Sequence, residues 1–592
     1  MQTKKTNYGA LTVLTTVFFF WGFIAAGNSV FIPFCKHYFG LDQFQSQLID
    51  FAFYGAYYLG ALGLFVFSTV SGKDLVSNWG YKKGIVYGLL FSALGAATMI
   101  ISVYLNVFSA MLFGLFIVAL GFSLQQTAAN PFMIALGDEK TGSNRINLGG
   151  GINSFGTTLG PLVVAFALFG TSAAIDDEMI ESLSLSKVVI LYAGVGCLFL
   201  GVAALFGFSK TLPSGKLETE ENSTADSSIR PKKTMVTMLV VTGLLIACFS
   251  PVFSSYRSDE AKQLVELKGD LEQLTIGEDN KPIKVLTAEQ QQTKKEIELE
   301  IKKISGPLEK NRMIWLSAGI LVVLGGILFA NRSAKKNENG WGAMKYPQLS
   351  LGMLAIFVYV GVEVAIGSNL SELLKQPAFG GLESSETTPF IAMYWGSLMI
   401  GRWSGSINAF NLSDQTKLIL KFIVPLIAFG IILGIFKLYG YNIDMLYWYI
   451  ICVLIQICAF YLTNDKPARS LAVFGGLGLL CVLIGLNTSG MVSIYSFLSA
   501  GLFCSIMWPC IFSLSLAGLG KHQAQGSGFL VMMILGGGLI PPIQGKLSDI
   551  IGIQPSFIVG AVCFAYITFF AIFVNKLLKK QGISLDSEAA SH

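Results

Sequence analysis

The sequence predicts an all-α membrane protein whose spans form two related bundles. Three observations carry this. Hydrophobic residues make up 53% of the chain and charged ones only 13%, with a mean hydropathy of +0.62. The apolar residues fall into runs long enough to cross a bilayer, which takes about 20 residues for roughly 30 Å of hydrocarbon. Loop charge alternates from one connection to the next. Lipid offers the backbone no hydrogen-bond partner, so each span closes its own bonds as a helix. Barrel strands would be about 10 residues long and alternate in polarity; these runs do neither.

Apolar runs lie near 8–33, 47–72, 84–104, 106–136, 147–170, 187–209, 234–254 and 313–331. Further runs lie near 349–371, 388–408, 418–437, 445–463, 469–487, 491–517, 526–548 and 555–577. They predict about sixteen spans. Lysines 4 and 5 precede a first run too long for a signal-peptide core, so it is read as a retained span. Loops after even-numbered runs hold Lys73, Lys82 and Lys83, then Lys140 and Arg145, Lys210 and Lys216, Lys335 and Lys336, Lys466 and Arg469, and Lys521. Loops after odd-numbered runs are acidic or nearly uncharged, as at Asp176, Asp177, Glu178 and Glu181. Both termini are therefore expected in the cytoplasm of a multi-pass inner-membrane protein.

The net charge of +5 is small and gives no reason to expect nucleic acid. The nine cysteines form no CxxC pair, and most sit inside apolar runs as small core residues. His37, His522 and His592 all fall in loops or the tail, so neither a histidine metal site nor an intramembrane histidine relay is expected. No Walker loop, HExxH or GxSxG appears, which argues against ATP-driven transport and membrane hydrolases.

One loop, 255–312, is long and rich in both charge signs. Leu264, Leu267, Leu271 and Leu274 make one helical stripe; Ile297, Ile301 and Ile304 make another. The pattern predicts a helical hairpin outside the membrane. The expected divisions are a first bundle at 1–210, a central insert of two spans at 211–345, a second bundle at 346–580 and a tail at 581–592.

The two ends echo each other. Trp21-Gly22-Phe23 leads to Asn28, and Tyr359-Val360-Gly361 leads to Asn369. Asn130-Pro131 matches Trp508-Pro509, and Gly149-Gly150-Gly151 with Pro161 parallels Gly536-Gly537-Gly538 with Pro541. Parallel repeats of this kind build two-bundle transporters with a site between the halves. The second half is longer by about 40 residues, enough for one extra helical hairpin, expected near 418–487.

Polar groups inside apolar runs cost several kcal/mol unless they meet a partner or water, so they point to a pathway. The strongest cluster is Gln125-Gln126-Thr127-Ala128-Ala129-Asn130-Pro131. Its amides suit sugar hydroxyls, and Pro131 is expected to break the helix and free carbonyls for a cavity. Asn28 and Asn153 extend this polar face. Asp50 and Glu363 are acids inside apolar runs and so candidates for ion coupling. Tyr359 and Trp395 offer aromatic faces to a sugar from the second half. Asp74, Lys82 and Lys83 lie between the second and third spans; with Arg402 they are expected to form charge pairs at a cytoplasmic gate.

These residues resemble the major facilitator superfamily, and within it the fucose permease and glucose/galactose transporter group. The resemblance is carried by Phe18-Phe19-Phe20-Trp21-Gly22-Phe23, Phe51-Ala52-Phe53-Tyr54-Gly55, Thr127-Ala128-Ala129-Asn130-Pro131-Phe132 and Tyr359-Val360-Gly361-Val362-Glu363. Tyr394-Trp395-Gly396 with Gly401-Arg402, and Gly526-Ser527-Gly528-Phe529 through Pro541-Pro542, extend it over both halves. It implies two pseudo-symmetric six-helix bundles, here with about four additional transmembrane helices. It also implies uptake of a sugar coupled to a cation gradient. The fucose permease has a coupling aspartate where this chain has Ser29, a glutamate where it has Gln126, and a sugar-contacting glutamine where it has Gly150. Gln126 and Glu363 resemble the glucose/galactose branch; Ser29 departs from both branches.

The expected function is import of a monosaccharide, of glucose or galactose type before fucose, by alternating access. The expected co-substrate is a proton or sodium ion, with no prosthetic cofactor. The partners expected are a sugar and membrane lipid, and the chain is expected to be a monomer. A uniporter, a carrier of an amino sugar, or a non-transporting sugar sensor are the alternatives. Asp50, one helix away from Ser29 and toward the same side, is expected to supply the missing carboxylate. Asp50→Asn should then abolish sugar accumulation under an imposed gradient; unchanged uptake into vesicles would remove Asp50 from coupling.

Overall fold

A computed structural model describes residues 6–38, 43–72, 75–169, 185–216, 230–275, 287–382 and 384–583. Among these every regular element is helical. The long helices of the first half are α1 (Tyr8–Tyr38), α2 (Gln43–Ser71), α3 (Tyr81–Leu105), α4 (Phe108–Ala135), α5 (Gly142–Phe169) and α6 (Leu185–Phe208). Next come α7 (Lys232–Ser255) and α8 (Ala288–Lys336). The second half holds α9 (Pro347–Leu374), α10 (Ser384–Ser406), α11 (Asp414–Leu438), α12 (Asp444–Thr463), α13 (Pro467–Asn487), α14 (Gly490–Leu516), α15 (Gly520–Ser548) and α16 (Ile553–Lys580). Thirteen helices among the described residues are long and apolar enough to cross a membrane by length and composition. Helices α5 and α10 are rich in polar residues, and Asn144, Asn147, Arg402 and Trp403 among them lie where the two halves meet.

The chain divides into two compact units: Met1–Met235 with Ala330–His592, and Val236–Phe329. In the larger unit each half follows one packing scheme. Helix α1 packs on α5, α2 on α4, and α3 on both α4 and α6. In the second half α9 packs on α15, α10 on α14, and α13 on both α14 and α16. Within 418–487, therefore, α13 occupies the place of α3, and α11 and α12 are the pair without a counterpart; α11 packs on α10 and α12. The halves meet through α5 against α10 and α2 against α15.

Glycine spacing explains how the halves approach. Gly149 packs on Phe18 of its own bundle, while a methyl group at Gly150 would lie 3.2 Å from Arg402 Cδ and one at Gly151 2.7 Å from Trp403 Cδ1. In the matching triplet Gly536 packs on the backbone of Phe357 in its own bundle, and Gly537 lies against Tyr54 of the other. A side chain at either set would push the bundles apart.

Prolines set the joints. Proline has no N–H, so the carbonyl four residues earlier loses its helical partner. Pro131 does not break α4, contrary to expectation: the helix runs through it unbroken. The carbonyl it frees, on Thr127, does not line a cavity but accepts from Ser527 Oγ of α15 at 2.8 Å. Pro509 does interrupt α14, between Cys504 and Met507, and the Ser505 carbonyl it frees accepts from Arg402 Nε at 3.3 Å. The fully buried Arg145 donates to the carbonyls of Met133, Ile134 and Asp138, taking up the orphan acceptors at the end of α4.

A buried ion pair sits beside the seam. Lys421 of α11 meets Asp465, which precedes α13 in the left-handed region with φ 53°. Asn408, after α10, donates to the same carboxylate at 2.6 Å. Burial holds the Asp465 carboxyl above the usual aspartate range, and Lys421 and Asn408 act against that shift.

In the smaller unit the expected hairpin takes a different form. Its first arm is a helix at Asp259–Thr275, but its second arm continues directly into the span as α8, 49 residues long. At about 1.5 Å per residue α8 is roughly two and a half times as long as the hydrocarbon is thick, so its charged N-terminal part extends beyond the bilayer. Glu, Lys and Gln, good helix formers, dominate 289–303, and the helix continues through Gly306 and Pro307 into the apolar part. Both predicted stripes are half-buried. Arg312 closes the base by donating to Ser255 Oγ and the Ser255 carbonyl, pairing with Glu309, and covering the Tyr256 ring at 3.6 Å.

Removing one member of the Lys421–Asp465 pair strands a buried charge. Lys421→Ala should lower stability by about 3–5 kcal/mol, read by thermal unfolding in detergent. The double variant Lys421→Met, Asp465→Asn should recover most of it.

Candidate functional site

Helix α9 carries Tyr359 and Glu363 one turn apart, so both point the same way. Helix α10 brings Arg402 opposite them. Arg402 Nη2 lies 3.3 Å from Glu363 Oε1 and 3.3 Å from the Tyr359 hydroxyl. Its Nη1 donates across the seam to Ser154 Oγ of α5 at 2.8 Å, and its Nε reaches the freed Ser505 carbonyl. Both charged side chains are nearly buried, at 13% and 12% exposure. An unpaired charge there would cost several kcal/mol; the planar fork of arginine shares its cost among four acceptors on three helices besides its own. Tyr394 donates its hydroxyl to the Glu363 carbonyl at 2.8 Å, and the Tyr359 ring lies 6.3 Å from that of Trp508. Arg402 was expected with the loop lysines at the cytoplasmic gate. It is instead the cation of the second-bundle site.

The first bundle separates the two glutamines. Gln125 is completely buried and spends its amide inside its own bundle, accepting from Trp21 Nε1 at 2.8 Å and donating to Ser92 Oγ at 3.1 Å. It holds α1, α3 and α4 together, its amide spent inside the bundle where a sugar contact was expected. Its neighbour Gln126, about 100° round the helix, is half-buried and donates to the Tyr57 hydroxyl of α2 at 3.1 Å. Asn130 donates to the Gln126 carbonyl at 3.0 Å and leaves its own Oδ1 buried without a partner. Asn153 is half-buried and donates to the Phe18 carbonyl at 3.0 Å. Trp395 stands edge-on to Tyr394, with ring centroids 5.4 Å apart.

Of the expected gate residues, Lys82 donates to the Ser209 carbonyl at the end of α6, a favourable place for a cation, and Lys83 is exposed. Asp74 lies outside the described residues. Asn28 and Asp50 fall in α1 and α2, but their side chains lie outside what is described. The groups that fasten the two halves toward the loop-lysine side are others. Asn144 and Asn147 donate to the Gly405 carbonyl at 2.8 and 3.4 Å, Trp403 Nε1 to the Gly151 carbonyl at 3.2 Å, and Phe65 stacks edge-on with Phe529 at 4.8 Å. Gly526-Ser527 carried part of the resemblance, yet the fastening role of Ser527, like that of Asn144 and Asn147, has no signal in sequence periodicity.

Two six-helix sets with one packing scheme, joined along a polar seam, define the major facilitator transporter fold. No protein-family model matches the chain. The chain is 28% identical over 575 residues to a glucose/galactose transporter of Brucella abortus, covering 97% of this chain and 96% of that protein. It is 25% identical over 567 residues to the L-fucose-proton symporter of Escherichia coli, covering 95% and 92%. Among solved structures it is similar to the major facilitator transporter FucP in the outward conformation, with a TM-score of 0.57 at 21% identity, over 95% of this chain and 98% of that one. These homologues are named as transporters rather than enzymes.

Gln125 and Gln126 provide a direct contrast. Gln125→Ala should cost about 1–3 kcal/mol of stability through the stranded Trp21 N–H, with little change in sugar KM. Gln126→Ala should leave unfolding nearly unchanged and raise KM several-fold in vesicle uptake.

Proposed function

We propose that the chain imports a monosaccharide, glucose or galactose type first, coupled to a proton gradient by alternating access. The observation that carries this reading is the buried Glu363–Arg402 pair, bonded to Tyr359 on its own side and to Ser154 across the seam. It places a carboxylate, a fixed cation and hydroxyl groups where two halves meet, which is what coupling a neutral polar solute to an ion requires. The similarity to sugar transporters along nearly the whole chain supports the substrate class. The name of the Escherichia coli relative supports a proton over sodium.

In this mechanism Glu363 takes up a proton from the outer side. Neutralised, it releases Arg402, and the freed guanidinium and tyrosine hydroxyl turn to the sugar. The fastenings at Gly405, Gly151 and Thr127 then part, and the site opens to the cytoplasm. Loss of the proton restores the ion pair and returns the empty carrier. We assign the bundles to 1–210 and 346–580, the central insert to 211–345, and the hairpin without a counterpart to α11 and α12. The carrier acts as a monomer in the inner membrane, with both termini cytoplasmic.

Purified protein in proteoliposomes tests this with labelled glucose and galactose. A pH gradient should drive accumulation. Glu363→Gln should lose accumulation yet keep sugar counterflow, because exchange needs no net proton movement. Accumulation equal to wild type would refute the coupling role of Glu363. The pair itself favours one second reading, since Arg402 already compensates Glu363: a uniporter, which would equilibrate sugar whatever gradient is imposed.

A further inference from the structure

Gln544 is the one fully buried side-chain amide among the described residues with neither its oxygen nor its nitrogen hydrogen-bonded. Burying an amide in this state costs several kcal/mol, a penalty that structures rarely keep without a use.

Its position follows from the helix that carries it. On α15, Gly536 packs on Phe357 and Ile540 on Gly361, so this face lies on α9 in a register that advances four residues on each helix. One further turn pairs Gln544 with residue 365, within a turn of the depth of Glu363. The adjoining face lies on α2: a methyl group at Gly537 would stand 2.9 Å from Tyr54 Cε1. Gln544 is two turns beyond Gly537, so it lies on the side of α15 turned toward α9 and α2, where the two halves meet, at the depth of Glu363 but on the other face of α9.

The same stretch supplies further acceptors. Pro541 and Pro542 lie inside the helix and remove the N–H groups that would bond the Gly537 and Gly538 carbonyls. Both residues are glycines, and Tyr54 of α2 stands against them. On α9, Asn369 Oδ1 lies 4.0 Å from the place a methyl group would take at Gly545. The seam thus holds an amide with a free donor and a free acceptor next to freed carbonyls.

We propose that Gln544 is a sugar-binding residue of the second bundle, its amide pairing with a hydroxyl that donates to Oε1 and accepts from Nε2. A neutral polyol is the ligand that satisfies this set, because the amide offers an uncharged donor and acceptor together and the freed carbonyls accept from hydroxyls. The proposal rests on the sugar-transport reading and adds a specificity contact that charge coupling does not need.

The test uses wild type, Gln544→Leu and Gln544→Ala in proteoliposomes, with labelled D-glucose, D-galactose and L-fucose and the monodeoxy analogues of whichever is transported. Gln544→Leu fills the same space with no polar atom, so a merely structural glutamine would give a variant of equal or higher melting temperature and unchanged KM. The expected result is a KM raised roughly tenfold or more, with melting temperature maintained. One monodeoxy analogue should compete poorly against wild type and as well as the parent sugar against the variants. Wild-type KM in Gln544→Leu, or equal discrimination of all analogues by wild type and variants, overturns the proposal while leaving transport intact. A wild-type protein that accumulates none of the sugars overturns the transport reading, and this proposal with it.

Discussion

The structure turns on one guanidinium. Arg402 lies in a medium that punishes an isolated charge, and it persists because its fork meets an acceptor in every direction. Each acceptor comes from a different level of organisation. Glu363 and Tyr359 are one turn apart on a neighbouring helix. The Ser505 carbonyl exists as a free acceptor only because Pro509 lacks an N–H. Ser154 belongs to the other half of the molecule. Sequence, helix geometry, helix interruption and bundle docking therefore meet at a single side chain, and a change in any of them alters its balance.

The same economy of polar groups runs through the first bundle. Gln125 and Gln126 are adjacent in sequence and differ by about 100° around α4. That rotation separates a group that fastens α1, α3 and α4 from one that faces α2 and the seam. Lys421 and Asp465 show a comparable division in the second half. The hairpin of α11 and α12, which has no counterpart in the first half, contributes a lysine that neutralises an acid at the start of α13. The added helices are thereby tied electrostatically to the common scheme.

The spans were legible in the sequence because hydrocarbon imposes a length and a composition that no tertiary contact overrides. The acids inside apolar runs were legible for the same reason, and Glu363 lies nearly buried beside Arg402. Partnership was not. Arg402 reads as one more loop-side cation because it falls near the end of the run 388–408, and a sequence does not show which acceptors a side chain meets. Gln125 and Gln126 read as equivalent because their difference is purely angular, and Pro131 reads as a breaker because the compensating hydroxyl, Ser527, is 396 residues away. The second arm of the charged hairpin was placed correctly as helix but not as part of α8, because charge marks a change of solvent and not an end of hydrogen bonding.

Pro131 has one more consequence. When the halves separate, the Thr127 carbonyl cannot return to its own helix, for the nitrogen four residues on carries no hydrogen. Water entering the gap is the natural replacement for the Ser527 hydroxyl, and such a bridge is nearly as good as the bond it replaces. Covalent chemistry thus keeps a vacancy on α4 that either a neighbour or solvent fills, and the clasp opens and recloses without ever leaving a dry orphan in the bilayer.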